Sequence, residues 1–152
     1  ISYRKETRGM ESGGGGLVST MADYARFYQM MLNGGQLDGA RILSKKSIDL
    51  MVKNVLTDSQ TIDSTGNLNG TTSQSVGFGL NFGIIMGEAS EISGYGDGSY
   101  FWGGAAATWF WIDPKNDLFF IGMVQQFPKQ PPAANPDFRK TSQQFVYDAL
   151  AN

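Results

Sequence analysis

The sequence predicts an α+β fold in which an antiparallel sheet packs against helices. Apolar residues recur at helical spacing near the start and the end of the chain. Between residues 76 and 126 the chain instead contains aromatic and branched segments of strand length. Turn-forming residues between the last two of these segments favour antiparallel pairing.

The length and composition are those of one globular domain. The chain has 152 residues, of which 41% are hydrophobic and 17% charged, and a formal net charge of -2. It has no Lys or Arg run, so neither nucleic acid nor an anionic membrane is an expected partner. It also lacks cysteine and histidine, which excludes disulfides, a Ser-His-Asp triad and the usual imidazole or thiolate metal ligands. We therefore expect no metal and no cofactor.

The first helix is predicted to begin after Thr20. Thr20 and Asp23 form a capping pair, although Ser19 is an alternative cap, and Asn33-Gly34-Gly35 provides the stop. The residues expected on its buried face recur at helical spacing: Met21, Tyr24, Phe27, Tyr28, Met31 and Leu32.

A tight turn and a short helix are expected next. The Asp38-Gly39 pair lies between two short apolar arms, which is typical of a hairpin. The second helix is predicted from Ser44, with Leu43 and Ile48 forming a hydrophobic staple. The polar sequence from Thr57 to Ser75 predicts an exposed, mobile loop.

Three strands and a final helix complete the predicted fold. The strands are Val76 to Met86, Phe101 to Ile112 and Leu118 to Gln126, and the turn from Asp113 to Asp117 makes the last two antiparallel neighbours. Asn135 is the predicted cap of the final helix. The side of this helix expected to face the sheet contains Phe138, Phe145, Val146, Ala149 and Leu150.

The strand from Phe101 contains a Gly103-Gly104 pair followed by three alanines. Glycine weakens a strand interior, so the pair indicates a bend or a place where another group lies against the backbone. That group is either a substrate or a crowded neighbour in the core. The pattern alone leaves both interpretations open.

Five segments, taken in order, resemble the carboxy-terminal part of β-lactamase-like serine hydrolases. They are S-G-G-G-G-L-V-S-T at 12–20, D-Y-A-R-F at 23–27, L-N-G-G-Q-L-D-G-A-R-I-L-S at 32–44, G-F-G-L at 77–80 and W-G-G-A-A-A-T-W-F-W-I-D-P at 102–114. This superfamily includes class C β-lactamases, family VIII carboxylesterases and penicillin-binding proteins. The resemblance implies an antiparallel sheet with helices packed on it, and it slightly favours a periplasmic or secreted protein.

The resemblance implies that the active site is split. In such enzymes an S-x-x-K serine is the nucleophile and a tyrosine motif helps to move protons, and both lie earlier in the family's chain. The match Ser2-Tyr3-Arg4-Lys5 is rejected, because this spacing arises by chance and lacks the helical region that follows the motif. The chain also begins at Ile1 without a methionine. We expect residues 1–152 to be the C-terminal segment of a β-lactamase-like domain, inactive without the N-terminal part of the same protein.

The family's third motif falls at Trp102-Gly103-Gly104, on a strand expected at the inner edge of the sheet. Lactamases usually have Lys-Thr-Gly or Lys-Ser-Gly there, whereas esterases often have Trp-Gly-Gly. By the resemblance, Trp102, Gly103 and Gly104 bind the substrate, and the Ala105 N–H supplies half of an oxyanion hole. An indole cannot attract a β-lactam carboxylate as lysine does, so an uncharged small-molecule ester is expected ahead of a β-lactam-like substrate.

Other interpretations stay open at this point. Alternating aromatic and small residues are also typical of an outer-membrane barrel, although the helices argue against one. Within the family, a β-lactamase, a D-Ala-D-Ala peptidase or a relative that lost its nucleophile and only binds is an alternative to the esterase. A binding platform without catalysis would use five aromatic residues: Tyr95, Tyr100, Trp102, Trp109 and Trp111.

Overall fold

The computed structural model describes residues 17–57, 61–62, 68–69, 76–87, 95–104, 106–124 and 138–151. The helices in these ranges are α1 (Met21–Leu32), α2 (Lys45–Met51) and α3 (Phe138–Leu150). The strands are β1 (Gln36–Leu37), β2 (Ala40–Arg41), β3 (Thr61–Ile62), β4 (Leu68–Asn69), β5 (Val76–Phe78), β6 (Gly83–Ile85), β7 (Tyr100–Gly103), β8 (Thr108–Asp113) and β9 (Leu118–Met123).

A five-stranded antiparallel sheet organises the described residues, with the strand order β5-β6-β7-β8-β9. Each strand therefore pairs with the next one in the chain. The predicted α+β fold with an antiparallel sheet is confirmed. The predicted neighbours around the 113–117 turn are also confirmed, because β8 and β9 pair from Thr108↔Met123 to Asp113↔Leu118.

The prediction of three strands is wrong, because two of the three are hairpins. β5 and β6 are separated by a turn in which Asn81 has a φ of 76°. β7 and β8 are separated by residues 104–107, where Ala107 has a φ of 61°. A left-handed residue cannot continue an extended strand, and apolar composition does not reveal such a residue when it is alanine.

Both short hairpin regions precede the main sheet. β1 and β2 pair as the Asp38-Gly39 signal predicted, with φ values of 49° and 79° at the two turn residues. β3 and β4 pair through Ile62↔Leu68 inside the region predicted to be a loop. The prediction lacked this element, and the other residues between 58 and 75 lie outside the described part of the chain.

α1 covers one face of the sheet with its C-terminal half. Its predicted cap is confirmed, since Thr20 Oγ1 accepts a hydrogen bond from the Asp23 N–H at 3.2 Å. The ring of Tyr28 stacks on Phe110 with centroids 4.5 Å apart and meets Phe119 edge-on at 6.0 Å. The core on this face consists of Tyr28, Met30, Met31, Ile48, Phe82, Ile84, Tyr100 and Ile112.

The predicted burial of the N-terminal half of α1 is wrong. Met21 is 50% exposed, and Tyr24 and Phe27 are each 40% exposed. None of the three belongs to the core on this face of the sheet. Among the described residues, this core includes Tyr28, Met30 and Met31 of α1 but no residue from the first two turns of the helix.

α2 begins as predicted and anchors the same core. The Ser44 side chain accepts a hydrogen bond from the Ser47 N–H at 3.0 Å. Ile48 is buried and Leu43 packs against the core that contains it, which confirms that both staple residues are apolar contacts of this region. Val55, which follows the helix, is exposed.

α3 packs on the opposite face of the sheet, but not through the predicted apolar side. Phe138, Phe145 and Leu150 are exposed, whereas Gln143 is buried. The sheet presents polar groups here, the indole N–H of Trp109 and the Asp113 carboxylate. The helix therefore turns inward the side chains that hydrogen-bond these groups, since a buried polar group without a partner costs stability.

Candidate functional site

Trp102, Gly103 and Gly104 lie at the end of β7 and at the start of the turn that follows it. Trp102 pairs with Phe110 and Gly103 with Trp109 across the hairpin. The Gly104 N–H donates to the Thr108 carbonyl at 2.8 Å, and the Ala107 N–H donates to the Gly104 carbonyl at 3.1 Å. The glycine pair thus lies at a bend, which is one of the features that the pair indicated in the sequence.

The expectation of an edge strand is wrong for β7 as a whole, because β7 is the third of five strands. It is nevertheless unpaired locally on one side. The β6–β7 register ends at Gly83↔Phe101, because the chain turns into β6 immediately before Gly83, with the Gly79 N–H bonded to the Phe82 carbonyl. In the described residues, Trp102 and Gly103 therefore have β8 on one side and no paired strand on the other.

The Gly103 backbone points toward this open side. The Gly104 N–H points toward β8, as its bond to Thr108 requires. Successive residues of a strand direct their backbone groups to opposite sides. The N–H and carbonyl of Gly103 are consequently directed away from β8, past the end of β6.

Trp102 is half-buried, and strand alternation from Tyr100 directs its Cβ toward the face that α1 covers. Its indole meets the ring of Phe78 edge-on, with centroids 5.1 Å apart. The residue packs against the β5–β6 hairpin and is still partly accessible. This is the environment expected of an aromatic side chain that lines a cleft beside an unpaired strand end.

Both glycines are positions of close approach. A Cβ at Gly103 would lie 2.6 Å from Arg139 Nη2 of α3, and a Cβ at Gly104 would lie 2.5 Å from Thr108 Oγ1. The guanidinium of Arg139 therefore covers the α3 side of Gly103. Sequence reasoning missed Arg139, because nothing in the pattern links a helix near the end of the chain to this glycine.

Comparison with known proteins identifies the family. The Beta-lactamase family model matches residues 2–144. The chain belongs to the β-lactamase family. It is also 38% identical over 120 residues to two Mycobacterium tuberculosis proteins, "Uncharacterized protein MT1414" of strain CDC 1551 / Oshkosh and "Protein Rv1367c" of strain ATCC 25618 / H37Rv. The match covers 77% of this chain and 29% of each relative, so the chain spans less than a third of their length.

Several predicted positions of this β-lactamase family chain lie outside the described residues. They are Ala105, the proposed oxyanion donor, the rejected Ser2–Lys5 match and the glycine run at 12–16.

The alternative of an aromatic binding platform is wrong. Tyr100, Trp109 and Trp111 are buried. Tyr100 packs edge-on to Phe82 on the α1 face, whereas Trp111 stacks on Phe120 with centroids 4.4 Å apart on the α3 face. Because alternate strand residues point to opposite faces, these rings cannot form one accessible surface.

A buried polar cluster lies at the other end of the β7–β8 hairpin. Asp113 is fully buried and accepts hydrogen bonds from Tyr147 Oη at 2.6 Å and from Asn116 Nδ2 at 2.7 Å. The backbone N–H groups of Lys115 and Asn116 donate to its other oxygen at 3.0 and 3.1 Å. A Cβ at Gly96 would lie 2.7 Å from this carboxylate. The sequence indicated the turn at Asp113 but not its partner Tyr147.

The electrostatics of this cluster follow from its hydrogen bonds. Burial alone would raise the pKa of Asp113, but the hydrogen bonds from Tyr147, Asn116 and Lys115 outweigh burial and hold the pKa below its usual range. Burial raises the pKa of Tyr147 well above its usual value, and the hydrogen bond to the Asp113 carboxylate and the charge of that carboxylate raise it further. The pair is therefore a carboxylate with a neutral phenol at neutral pH.

Two kinds of feature are absent from the described part of the chain. No helix there is long and apolar enough to span a bilayer. No group of three or more His, Cys, Asp or Glu side chains in those residues is arranged to hold a metal ion.

Proposed function

We propose that this chain is the C-terminal part of a β-lactamase-related serine hydrolase that acts on small uncharged esters through an acyl-enzyme. Membership of the β-lactamase family supports the enzyme class. The single observation that carries the site is the open end of β7. There Trp102 and Gly103 extend past the last β6 pairing, and the Gly103 backbone is directed to the unpaired side.

In the proposed reaction, a serine from the rest of the polypeptide attacks the ester carbonyl carbon. The carbonyl oxygen becomes an oxyanion, the alcohol leaves with the proton taken from the serine, and water then hydrolyses the acyl-serine to the acid. A backbone N–H on a fixed strand end is a suitable oxyanion donor and is worth about 3 kcal/mol. From the family resemblance we assign this role to Ala105, with Trp102, Gly103 and Gly104 as the surface along which the acyl group lies.

The preference for esters depends on position 102. Lysine there would bring a cation to a substrate carboxylate, whereas the indole of Trp102 packs on Phe78 and offers an apolar surface. Arg139 is a cation beside the motif, but its guanidinium approaches Gly103, whereas the indole of Trp102 packs on Phe78. The proposed specificity therefore comes from the aromatic face of the motif.

The test compares two substrates with the intact polypeptide that contains this chain. We expect a short-chain nitrophenyl ester to be hydrolysed with kcat/KM at least about tenfold above that of a chromogenic cephalosporin, a difference of about 1.4 kcal/mol. The Trp102→Lys variant should narrow this ratio, because it restores a cation. Comparable values for the two substrates in the unsubstituted protein would contradict the ester preference.

A second measurement tests the enzyme class itself. A serine-directed fluorophosphonate should label the intact polypeptide, because the proposed mechanism requires an activated serine. Labelling together with faster cephalosporin hydrolysis would support a β-lactamase or peptidase instead of an esterase. Absence of labelling and of hydrolysis would contradict the serine-hydrolase proposal and favour a relative that has lost its nucleophile.

A further inference from the structure

The side chain of Trp102 reaches from β7 across to β5. Its indole centroid lies 5.1 Å from the ring of Phe78, and Phe78 belongs to β5, two strands away in the sheet order. β6 separates these two strands elsewhere, but its pairing with β7 stops at Gly83↔Phe101, one residue before Trp102. The indole therefore reaches β5 past the last pair of β6 and β7, across the unpaired side of β7.

This contact joins side chains that start on opposite faces of the sheet. Phe78 pairs with Gly83, and Gly83 pairs with Phe101, so Phe78 and Phe101 point to one face. Trp102 follows Phe101 along the strand, so its Cβ points to the other face. Its ring nevertheless meets Phe78 edge-on, with an angle of 70° between the ring planes. The two rings thus lie across the end of the sheet, and we call them the aromatic barrier.

The ring of Phe101 fills the space beside the aromatic barrier. It lies over Gly83, because a Cβ there would be 2.9 Å from Cζ of this ring. The ring also stacks parallel to Tyr95, with centroids 6.3 Å apart, and packs against the buried side chains of Val76 and Ile85. Phe101 is therefore held in place by its neighbours and leaves no gap on the β6 side of the barrier.

The backbone of Phe78 is held by the segment that follows α2. The Phe78 N–H donates to Asn54 Oδ1 at 3.0 Å, and the Phe78 carbonyl accepts from the Val55 N–H at 2.9 Å. The same Asn54 oxygen accepts from the Leu56 N–H at 3.1 Å. A Cβ at Gly77 would lie 2.7 Å from this oxygen, so the side chain of Asn54 sits directly on the strand. The ring of Phe78 therefore cannot retreat by a shift of β5.

We propose that Phe78 is a specificity-determining residue, which together with Trp102 limits the length of the acyl group that the site accepts. The inference rests on the proposed function, in which the acyl group lies along Trp102, Gly103 and Gly104. An acyl chain that runs along this strand toward β5 meets the aromatic barrier, whose rings are half-buried and tightly placed. Removal of the Phe78 ring leaves apolar space that additional methylene groups can fill.

The test measures kcat/KM for nitrophenyl acetate and nitrophenyl octanoate with the intact polypeptide. The unsubstituted protein should prefer the acetate by at least about tenfold, and Phe78→Ala should raise the octanoate-to-acetate ratio by at least about tenfold. A ratio measured on one sample does not depend on the folded fraction, so a loss of stability alone leaves it unchanged. Phe78→Leu is a second variant in case the first does not fold, and it should raise the ratio by about threefold.

Leu80→Ala is the matched control, because Leu80 lies in the same β5–β6 turn and is 46% exposed. It should leave the octanoate-to-acetate ratio unchanged. An unchanged ratio in both Phe78 variants, or an equal rise in Leu80→Ala, would overturn the inference while ester hydrolysis still supports the proposed function. Equal kcat/KM for the two esters in the unsubstituted protein would also overturn the inference alone. Failure of the unsubstituted protein to hydrolyse either ester would contradict the proposed function and the inference together.

Discussion

The two ends of the β7–β8 hairpin have opposite properties. At one end Asp113 is fully buried and receives four hydrogen bonds, one of them from Tyr147 of α3. At the other end Gly103 and Gly104 are half-exposed, and the groups that approach them are the ends of the Arg139 and Thr108 side chains. We call the Asp113 end the closed end, because a buried charged cluster fills it. We call the Gly103 end the open end, because its backbone is partly accessible.

The same helix contacts both ends. Arg139 of α3 lies against Gly103, Ser142 accepts from Trp109 Nε1 at 3.3 Å, and Tyr147 donates to Asp113. From Arg139 to Tyr147 a helix rises about 12 Å, and from Trp109 to Asp113 a strand spans about 13 Å. Because these lengths match, the hydrogen bond between Tyr147 and Asp113 fixes the position of α3 along β8. The same position places Arg139 against Gly103 and gives this short strand a fixed geometry.

The largest effect is expected at the closed end. Asp113→Ala removes the acceptor of four hydrogen bonds and leaves buried donors without partners, so the free energy of unfolding should fall by about 3 kcal/mol. Urea denaturation followed by Trp fluorescence measures this loss. Lys115→Ala is the control, because it keeps the backbone N–H in the same turn and removes an exposed side chain; it should change stability by less than about 0.5 kcal/mol. Equal losses of unfolding free energy in the two variants would show that the hydrogen bonds to Asp113 do not stabilise this end of the hairpin.

The next effect tests the strand pair that connects the two ends. Gly122 pairs with Trp109, and a Cβ at Gly122 would lie 2.3 Å from Cζ2 of the Trp109 ring. Gly122→Ala should therefore displace a buried ring and cost about 2 kcal/mol. Thermal unfolding checks this, and a variant as stable as the parent would mean that Trp109 moves freely in its site.

Tyr147→Phe is expected to have a smaller effect that depends on pH. Loss of the hydrogen bond to a charged carboxylate should cost about 1.5 kcal/mol near pH 7. The pKa of Asp113 is lowered in the folded state, so its contribution is present above the unfolded pKa of about 3.9 and is lost as the pH falls through the folded pKa. The difference between parent and variant should therefore shrink below about pH 4.

At alkaline pH the titration of Tyr147 should reduce the stability of the parent protein, whereas at acidic pH the titration of Asp113 does so. The pKa of Tyr147 is raised in the folded state, so its contribution is complete below the unfolded pKa of about 10 and is lost as the pH rises toward the folded pKa. Above about pH 10 the parent should lose stability that Tyr147→Phe retains. Parallel stability curves from pH 3 to 11 would contradict the Asp113–Tyr147 pairing.

The smallest effect on stability is expected at the open end. In Gly103→Ala the new methyl group meets the flexible end of Arg139, which can move, so the cost should stay below about 1 kcal/mol. On the proposed function, this substitution should nevertheless lower ester hydrolysis by the intact polypeptide, because it adds a side chain to the strand along which the acyl group is proposed to lie. A loss of stability equal to that of Gly122→Ala would show that both glycines are core positions and would remove the contrast between the ends.

Sequence patterns predicted the elements whose signals are local. Thr20 and Ser44 cap their helices as expected, and the Asp38-Gly39 and 113–117 turns are present. Capping residues and turn residues act within a few positions of themselves, so no tertiary information was needed. Gly103-Gly104 indicated a bend, but the reversal between β7 and β8 was not predicted, because alanine gives no turn signal and Ala107 adopts its left-handed conformation only inside the hairpin.

Burial was predicted poorly wherever it depends on a distant partner. The exposed residues Met21 and Phe145 were expected in the interior, whereas the buried Gln143 was not. Helical spacing identifies an apolar face but not what covers it. Only the C-terminal half of the apolar face of α1 belongs to the core beside the sheet. On the α3 side the sheet presents polar groups, which favour a polar helix face.

The sequence by itself determined the fold class, the β-lactamase-like motif order and Trp102-Gly103-Gly104 as the candidate substrate strand, because these depend on residue types in a fixed local order. Only the tertiary structure decided that β7 has an open end past β6, that Arg139 lies on Gly103 and that Tyr147 bonds Asp113. Arg139 is 36 positions from Gly103 and Tyr147 is 34 from Asp113. Contacts over such separations are set by the packing of α3 on the sheet, and no local pattern encodes them.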